Sequence, residues 1–213
     1  MLCSAFAKAL AADGWQTALL DINREAVEAV AQEIRQAGGQ AIALDLDDPE
    51  KTSFFDLDPQ GVRFVFDLNF LGALLTTQVF AKSMVNRGGN ILNISSMNAF
   101  RPLTKIPAYS AAKAAVSNFT QWLAVHFAPC GIRVTAIAPG FFVTNQNRDL
   151  LYDKDGSPTP RTEKILSQTP MGRFGEAEEL LGTLRFLVDD TASGFITGIV
   201  IPVDGGFSAY SGV

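Results

Sequence analysis

The stretch PAYSAAKAAV, residues 107–116, opens a helix that lies between two apolar strands. Alanine has the highest helix propensity of the amino acids, so the pattern predicts a helix over 109–127. NILNISS at 90–96 precedes this helix and IRVTAIAPG at 132–140 follows it, and both have the apolar composition of buried strands. The order strand, helix, strand indicates a parallel sheet covered by helices.

The same alternation continues on both sides of this unit. Further helices are predicted at 4–12, 23–39, 64–84 and 176–188, and further strands at 15–21, 40–46 and 198–206. The pattern therefore predicts the α/β class, with a doubly wound parallel sheet in a single domain over 1–213. The polar stretch 141–170, with Gly156, Pro158 and Pro160, is predicted to be a substrate loop or lid.

Composition excludes several classes of protein. The chain of 213 residues is 47% hydrophobic with a net charge of −5 and has no lysine- or arginine-rich run, which argues against nucleic acid or an anionic membrane as partner. Its two cysteines cannot form a disulfide framework, and no Cys/His cluster has metal-ligand spacing. No apolar run approaches the ~20 residues of a membrane span and no signal peptide is evident, so we expect a cytoplasmic protein without a metal.

Ligands of such sheets bind beyond the carboxyl ends of the strands, where the sequence places several polar residues. Asp21 ends one predicted strand, and its carboxylate could accept hydrogen bonds from the ribose of a dinucleotide and repel a 2′-phosphate. Asp45, with Leu46, ends the next strand and could hold an adenine edge. Considered alone, each acid is more typical of a structural position, such as the cap of helix 23–39 for Asp21, than of a binding site.

Tyr109 and Lys113 are four residues apart and therefore share one face of the predicted helix. A nearby ammonium favours the phenolate and lowers a tyrosine pKa that starts near ~10, which suits general acid–base catalysis. Ser96, at the end of the preceding strand, could hold a substrate oxygen. The alternative is a solvated Tyr–Lys pair on an amphipathic helix.

Together, NISS, AYSAAKAAV, IRVTAIAPG and VDGG resemble, in order and spacing, the motifs of the short-chain dehydrogenase/reductase family. The resemblance implies a Rossmann-like fold and an NAD(P)-dependent oxidoreductase that acts on CH–OH groups. It implies four catalytic residues, which are Asn69, Ser96, Tyr109 and Lys113. It also implies cofactor contacts from Asp21, Asp45, Leu46, Tyr109, Lys113, Pro139, Gly140 and Thr144. We expect NAD rather than NADP because of the carboxylate at Asp21.

The substrate side is rich in cations and amides, which suits a hydroxylated carboxylic acid. The candidate substrate residues are Asn98, Arg101, Lys105, Asn145 and Arg148. GFFVTNQNR and GGFSAYSGV resemble a branch of the family that acts on mannonate or fructuronate. Two alternatives remain open: a 3-oxoacyl-thioester reductase, which would favour NADPH, and a non-catalytic dinucleotide-binding relative.

Two expected segments do not occur in the sequence. The chain begins with MLCSAFAKAL, inside the helix that the family places after its glycine-rich turn, and DDPEKTSFFDLDPQGVR at 47–63 contains neither the expected helix nor a strand. Unpaired backbone groups would cost ~1–3 kcal/mol each at the resulting gap, so we expect a longer natural polypeptide. The resemblance also implies a homo-oligomer, a tetramer or dimer, through helices 64–84 and 109–127.

Overall fold

The computed structural model describes residues 54–144 and 147–212. The helices predicted at 4–12 and 23–39 and the strands predicted at 15–21 and 40–46 lie outside the described residues. Asp21, Asp45, Leu46 and Asn145 therefore also lie outside them.

Among residues 54–144 and 147–212, three parallel strands form a sheet in the order β1, β2, β3. β1 is Gly89–Ile94, β2 is Ile132–Pro139 and β3 is Val200–Val203. Their carboxyl ends meet at one edge, because Ile94 pairs with Ile137 and Pro139 pairs with Val203. The predicted α/β class with a parallel sheet is confirmed.

Helices follow or precede each strand within the described residues. They are α1 Pro59–Phe66, α2 Gly72–Met84, α3 Pro107–Phe127, α4 Arg148–Leu151, α5 Pro160–Ser167, α6 Glu179–Val188 and α7 Asp190–Ser193. A π-helical turn, Asp67–Leu71, joins α1 to α2, and 3₁₀ turns occur at Phe54–Asp56, Met97–Ala99 and Ala128–Cys130.

Both faces of the sheet are covered, as a doubly wound fold requires. On one face Leu123 and Ala124 of α3 pack on Ile132 and Val134 of β2. On the other face, the side chain of Ile137 packs on three leucines of α6. These are Leu180, Leu184 and Leu187, all at most 2% exposed. Alternating side chains of β2 thus hold one helix against each face.

Two helices differ from the sequence expectation. α1 begins at Pro59 rather than residue 64, inside the segment for which no helix was expected. The Asp58 carboxylate accepts the backbone N–H groups of Gln60 and Gly61, and Pro59 needs no hydrogen-bond partner at the first helical position. α5 lies in the stretch predicted to be a loop, where Thr159 accepts the N–H of Thr162. In both places, an Asp-Pro or Thr-Pro cap signalled the helix.

The continuous helical run Pro59–Met84 has 26 residues, and its most apolar 18-residue window has a mean hydropathy of 1.4, enough by length and composition to cross a membrane. The expectation that no apolar run approaches a membrane span was therefore wrong for this run. Only 17% of its most apolar window is buried. The end of this run nevertheless packs in the core of the fold, where Met84 contacts the apolar cluster between α3 and β2. The exposed apolar side chains include Leu75, Val79 and Phe80.

Candidate active site

Ser96 lies just beyond the carboxyl end of β1, as its sequence position predicted. The backbone continues the ladder one residue past the strand, because the N–H of Ser95 donates to the Ile137 carbonyl at 2.8 Å. Ser96 is 7% exposed and caps the Met97–Ala99 turn, where its Oγ accepts the N–H of Asn98 at 3.2 Å. That contact occupies a lone pair on Oγ and leaves the hydroxyl proton available for another acceptor.

Tyr109 and Lys113 lie in the first two turns of α3, which begins at Pro107. Lys113 extends across to the strand, and its Nζ donates to the Ile94 carbonyl at 2.9 Å. The same Nζ lies 5.6 Å from the centroid of the Tyr109 ring. The structure therefore brings the predicted tyrosine and lysine together at the carboxyl end of β1, beside Ser96.

A second hydroxyl fastens this end of the helix to the strand. Ser95 Oγ donates to the backbone carbonyl of Lys113 at 3.2 Å and lies 2.6 Å from Ser117 Oγ. Ser95 is 2% exposed, so these bonds are shielded from water. Sequence reasoning missed Ser95 and Ser117, although both flank predicted catalytic residues.

One helical turn further along, α3 is fastened to β1 again. The Asn93 side-chain amide donates to Thr120 Oγ1 at 2.9 Å, and Thr120 in turn donates to the Val116 carbonyl at 2.9 Å. Asn93 is 7% exposed and Thr120 is fully buried. Three side-chain contacts in sequence thus fix the separation between β1 and the helix that carries Tyr109.

Asn69 occupies the π-helical turn Asp67–Leu71 between α1 and α2. Its side-chain Nδ2 donates to the Val65 carbonyl at 2.9 Å, the group that the backbone N–H of residue 69 would bond in an α-helix. A side chain inserted into the hydrogen-bond ladder is a known cause of such local widening. Next to it, Phe70 packs edge-on against Phe119 of α3, at 5.6 Å between ring centroids.

Pro139 and Gly140 end β2 at the same edge. Gly140 donates its N–H to the Val203 carbonyl at 2.9 Å, and a Cβ at this position would come within 2.6 Å of Asp204. Only glycine therefore allows the two turns to touch. The Asp204 carboxylate accepts the N–H groups of Gly206 and Ser208, at 2.9 and 2.8 Å, which explains why an aspartate stands in the VDGG stretch.

Thr144, a predicted cofactor contact, is held by the side chain of Asn147. Asn147 Oδ1 accepts the N–H of Thr144 at 2.7 Å, while its Nδ2 donates to the Phe142 carbonyl at 2.8 Å. Asn147 thus fixes the chain direction where it leaves β2 and enters α4. The position of Thr144 follows from this local clamp.

The candidate substrate residues are divided among three elements. Asn98 is 4% exposed, and its Oδ1 has no hydrogen-bond partner within the described residues. Arg101 follows the Met97–Ala99 turn and donates from Nε to the Ser208 carbonyl at 3.1 Å. Lys105 precedes α3, and Arg148 begins α4 on an exposed surface.

Behind the Gly140 turn, the Glu179 carboxylate forms a bidentate ion pair with Arg173, at 2.6 and 2.7 Å. The Arg173 hydrogen bond, together with the N–H of Glu176, lowers the pKa of Glu179 from 4.5 to about 2. These residues border a cavity of about 80 Å³ that also touches Phe142 and Asp204. The cavity is separate from Ser96, Tyr109 and Lys113.

The donor set fits the nicotinamide half of a dinucleotide. An ammonium, a phenol and a hydroxyl lie at the end of β1, beside a turn at the end of β2 that has no room for a side chain at Gly140. Ligands bind at this edge in open parallel sheets. The residues predicted to bind the adenosine half are Asp21, Asp45 and Leu46, outside the described residues.

Comparison with known proteins gives matches over the whole chain. A family model described as enoyl-(acyl carrier protein) reductase matches residues 48–208. An uncharacterized oxidoreductase of Haemophilus influenzae is 53% identical over 261 aligned positions, which cover 100% of this chain and 91% of that protein. The alignment is longer than the 213 residues of this chain, so it opens gaps within it.

Two further matches concern sugar acids. A crystal structure of a proposed D-mannonate oxidoreductase of Haemophilus influenzae, with bound NAD, superposes with a TM-score of 0.89 at 52% identity and covers 100% of this chain and 93% of that one. The 2-dehydro-3-deoxy-D-gluconate 5-dehydrogenase of Dickeya dadantii is 37% identical over 147 residues, 68% of this chain and 56% of that protein.

Proposed function

The chain belongs to the short-chain dehydrogenase/reductase family, and from that premise we propose that it oxidises or reduces a secondary alcohol of a sugar acid with NAD. The observation that carries the proposal is the position of Lys113 Nζ, 5.6 Å from the Tyr109 ring centroid and 2.9 Å from the end of β1 at Ile94. A solvated Tyr–Lys pair would have no reason to reach the strand.

A bound NAD would supply the acceptor for the hydride that leaves the alcohol carbon. Tyr109 acts as the general base, with its phenolate taking the hydroxyl proton of the substrate, and as the acid in the reverse direction. The Lys113 ammonium stabilises the phenolate by its charge. The Ser96 hydroxyl donates a hydrogen bond to the substrate oxygen, since the N–H of Asn98 occupies one of its two lone pairs and leaves its proton available.

Among the described residues, the cofactor would be held by the Pro139–Gly140 turn, Thr144 and Lys113. Asp21, Asp45 and Leu46 are proposed to hold the adenosine half. NAD is proposed over NADP because the structural neighbour with 52% identity carries NAD, and because a carboxylate at Asp21 would repel a 2′-phosphate. Asn69 is proposed to join the proton path from Lys113 to solvent.

The substrate class rests on the similarity to sugar-acid enzymes and on the cations beside the site. A D-mannonate oxidoreductase and a deoxygluconate dehydrogenase are among the similar proteins. Arg101, Lys105 and Arg148 supply positive charge for a carboxylate, and the 141–170 segment is proposed to close over the substrate. An acyl thioester would instead need an apolar channel for its chain.

We also propose a cytoplasmic homo-oligomer, in which helices Pro59–Met84 and α3 pack against a second copy. Their outer faces expose large apolar side chains that a monomer would leave in water. These include Leu75 at 55%, Val79 at 65%, Trp122 at 56% and Val125 at 78% exposure. Light scattering should give a mass of at least two chains.

The function is tested by assaying purified protein with a panel of sugar acids, their neutral sugar alcohols and a 3-oxoacyl thioester, each with NAD(H) and NADP(H). We expect turnover of at least one sugar acid, with NAD preferred. Preferential turnover of the thioester with NADPH would contradict the proposal, as would equal use of the two cofactors. The absence of any turnover, with dinucleotide binding retained, would favour the non-catalytic alternative.

A further inference from the structure

We propose that Arg101 is the residue that binds the substrate carboxylate, and that the C-terminal turn, residues 204–208, holds it in place for this role. The inference rests on the proposed function, and it selects one of the three candidate cations. Three observations support this choice. They are the hydrogen bond that orients the Arg101 side chain, the guanidinium donors that this bond leaves unused, and the contacts that fix the position of Ser208.

The Arg101 side chain connects the segment that follows β1 to the segment that follows β3, on the side of the sheet where the strands end. Its backbone N–H donates to the Met97 carbonyl at 3.0 Å, so it lies one turn beyond Ser96 at the end of β1. Its Nε contacts Ser208, which follows β3. Strand β2 lies between β1 and β3 in the sheet, so this hydrogen bond joins the segments that follow the two outer strands.

The contact with Ser208 uses only one of the guanidinium donors. The hydrogen bond is from Nε to a neutral backbone carbonyl, and within the described residues no acid pairs with Arg101. The two terminal nitrogens therefore keep the planar pair of donors that matches a carboxylate. A guanidinium oriented through Nε can bind a carboxylate with both Nη atoms and lose little further side-chain freedom.

The support of Arg101 is connected to the cofactor side of the site. Ser208 donates its N–H to the Asp204 carboxylate, and Asp204 packs on Gly140 so closely that no Cβ fits between them. The Gly140 N–H is bonded to the Val203 carbonyl. The position of Arg101 is thus set relative to the turn that would face the nicotinamide. Both Arg101 and Arg148 are exposed, but Arg148 lies on the four-residue helix α4 and has no comparable hydrogen bond to the C-terminal turn among the described residues.

The test compares D-mannonate with D-mannitol, in which a hydroxymethyl group replaces the carboxylate, in the wild type and three variants. Arg101→Met removes the guanidinium and Arg101→Lys keeps the charge without the planar donors. The control, Arg87→Met, removes an exposed cation that precedes the amino end of β1, at the opposite edge of the sheet. We expect Arg101→Met to raise KM for mannonate by about 10- to 100-fold, the range for a charge-assisted pair, and to leave mannitol unaffected. Arg101→Lys should recover only part of the loss, and Arg87→Met should change KM for neither substrate.

Other outcomes would overturn the inference. An equal loss for mannonate and mannitol would make Arg101 a structural fastener of the C-terminal turn. Full recovery in Arg101→Lys would reduce its role to nonspecific charge. Unchanged KM in Arg101→Met, while the wild type still prefers mannonate, would reject the subsite but keep the sugar-acid function. A wild type that does not distinguish mannonate from mannitol would reject both.

Discussion

The strand–helix unit, residues 89–127, and the 141–170 segment flank the same edge of the sheet but are held together differently. In the strand–helix unit the side-chain contacts join residues far apart in sequence: Lys113 to Ile94, Ser95 to Ser117 and Asn93 to Thr120, at separations of 19, 22 and 27 positions. In the 141–170 segment the side-chain hydrogen bonds are local, with separations of 3 from Thr144 to Asn147 and 11 from Leu151 to Thr162. Only its first residues reach further, with Phe141 against Phe207 and Phe142 in the core beside Ile137.

The two regions also have different cores. The helix of the strand–helix unit packs into the main core with β2, through Leu123, Ala124 and Val134. The 141–170 segment forms a separate small cluster, in which Leu151 and Ile165 pack with Phe174 just beyond the segment. A part held by local contacts and a separate cluster can open at a free energy below that of global unfolding. The comparison teaches that Tyr109 and Lys113 depend on the whole fold, whereas the part of the proposed lid that follows Phe142 is held mainly by its own cluster.

The largest effect is expected from Tyr109→Phe, which removes one hydroxyl from the strand–helix unit. General acid–base catalysis typically contributes ~10²–10⁴-fold, so kcat should fall by at least about 100-fold while Tm and NAD affinity stay close to those of the wild type. Lys113→Met should also lower kcat strongly, because the phenolate loses its ammonium. Stopped-flow kinetics with fluorescence titration of NADH separates the two quantities. More than about a tenth of wild-type kcat in Tyr109→Phe would contradict the assigned role.

The next effect is on global stability. Thr120→Val keeps the shape of a fully buried side chain but leaves the Asn93 amide without its acceptor. An unsatisfied buried donor costs about 1–3 kcal/mol, which corresponds to a Tm lower by roughly 2–4 °C for each kcal/mol in a protein of this size. Calorimetry should show one transition displaced as a whole. Thr120→Ser, which retains the hydroxyl, is the control and should lie close to the wild type.

The matching change in the 141–170 segment is Thr162→Val. Thr162 is 1% exposed and its hydroxyl donates to the Leu151 carbonyl, which also accepts the N–H of Thr159. Because that carbonyl keeps one partner, the loss should be only about 0.5–1.5 kcal/mol. Hydrogen exchange should increase within 147–170 but not within 107–127, with KM for substrate raised and Tm little changed. Equal acceleration in both regions would show that the segment is not separable.

The smallest effect concerns pH. The pKa of Glu179, lowered to about 2 by the Arg173 hydrogen bond, is below its unfolded value of 4.5. This pair therefore stabilises the fold fully above pH 4.5 and loses its contribution as pH falls from 4.5 toward 2. Both partners are exposed, so the contribution is small. Glu179→Gln should lower Tm slightly at pH 7 and give a Tm less sensitive to pH between 4.5 and 2; an unchanged pH profile would argue against the pair.

Much of the fold was accessible from the sequence because it depends on local patterns. Strands 90–96 and 132–140 and the helix 109–127 were predicted within a few residues, since apolar runs and an alanine-rich segment have clear local preferences. The helix α5 was missed although Thr159 and Pro160 mark its start, because its polar composition is typical of a loop. The start of α1 at Pro59 was missed for a similar reason.

The sequence by itself determined the residue types and their order: a serine at a strand end, a tyrosine and a lysine one helical turn apart, and an aspartate before two glycines. Helical periodicity alone places Tyr109 and Lys113 on one face. Only the tertiary structure decided what that face contacts, because contacts such as Lys113 to Ile94 and Arg101 to Ser208 close loops of 19 and 107 residues. No local rule predicts such closures, since their energy comes from packing helices on both faces of a sheet that brings strand ends to one edge.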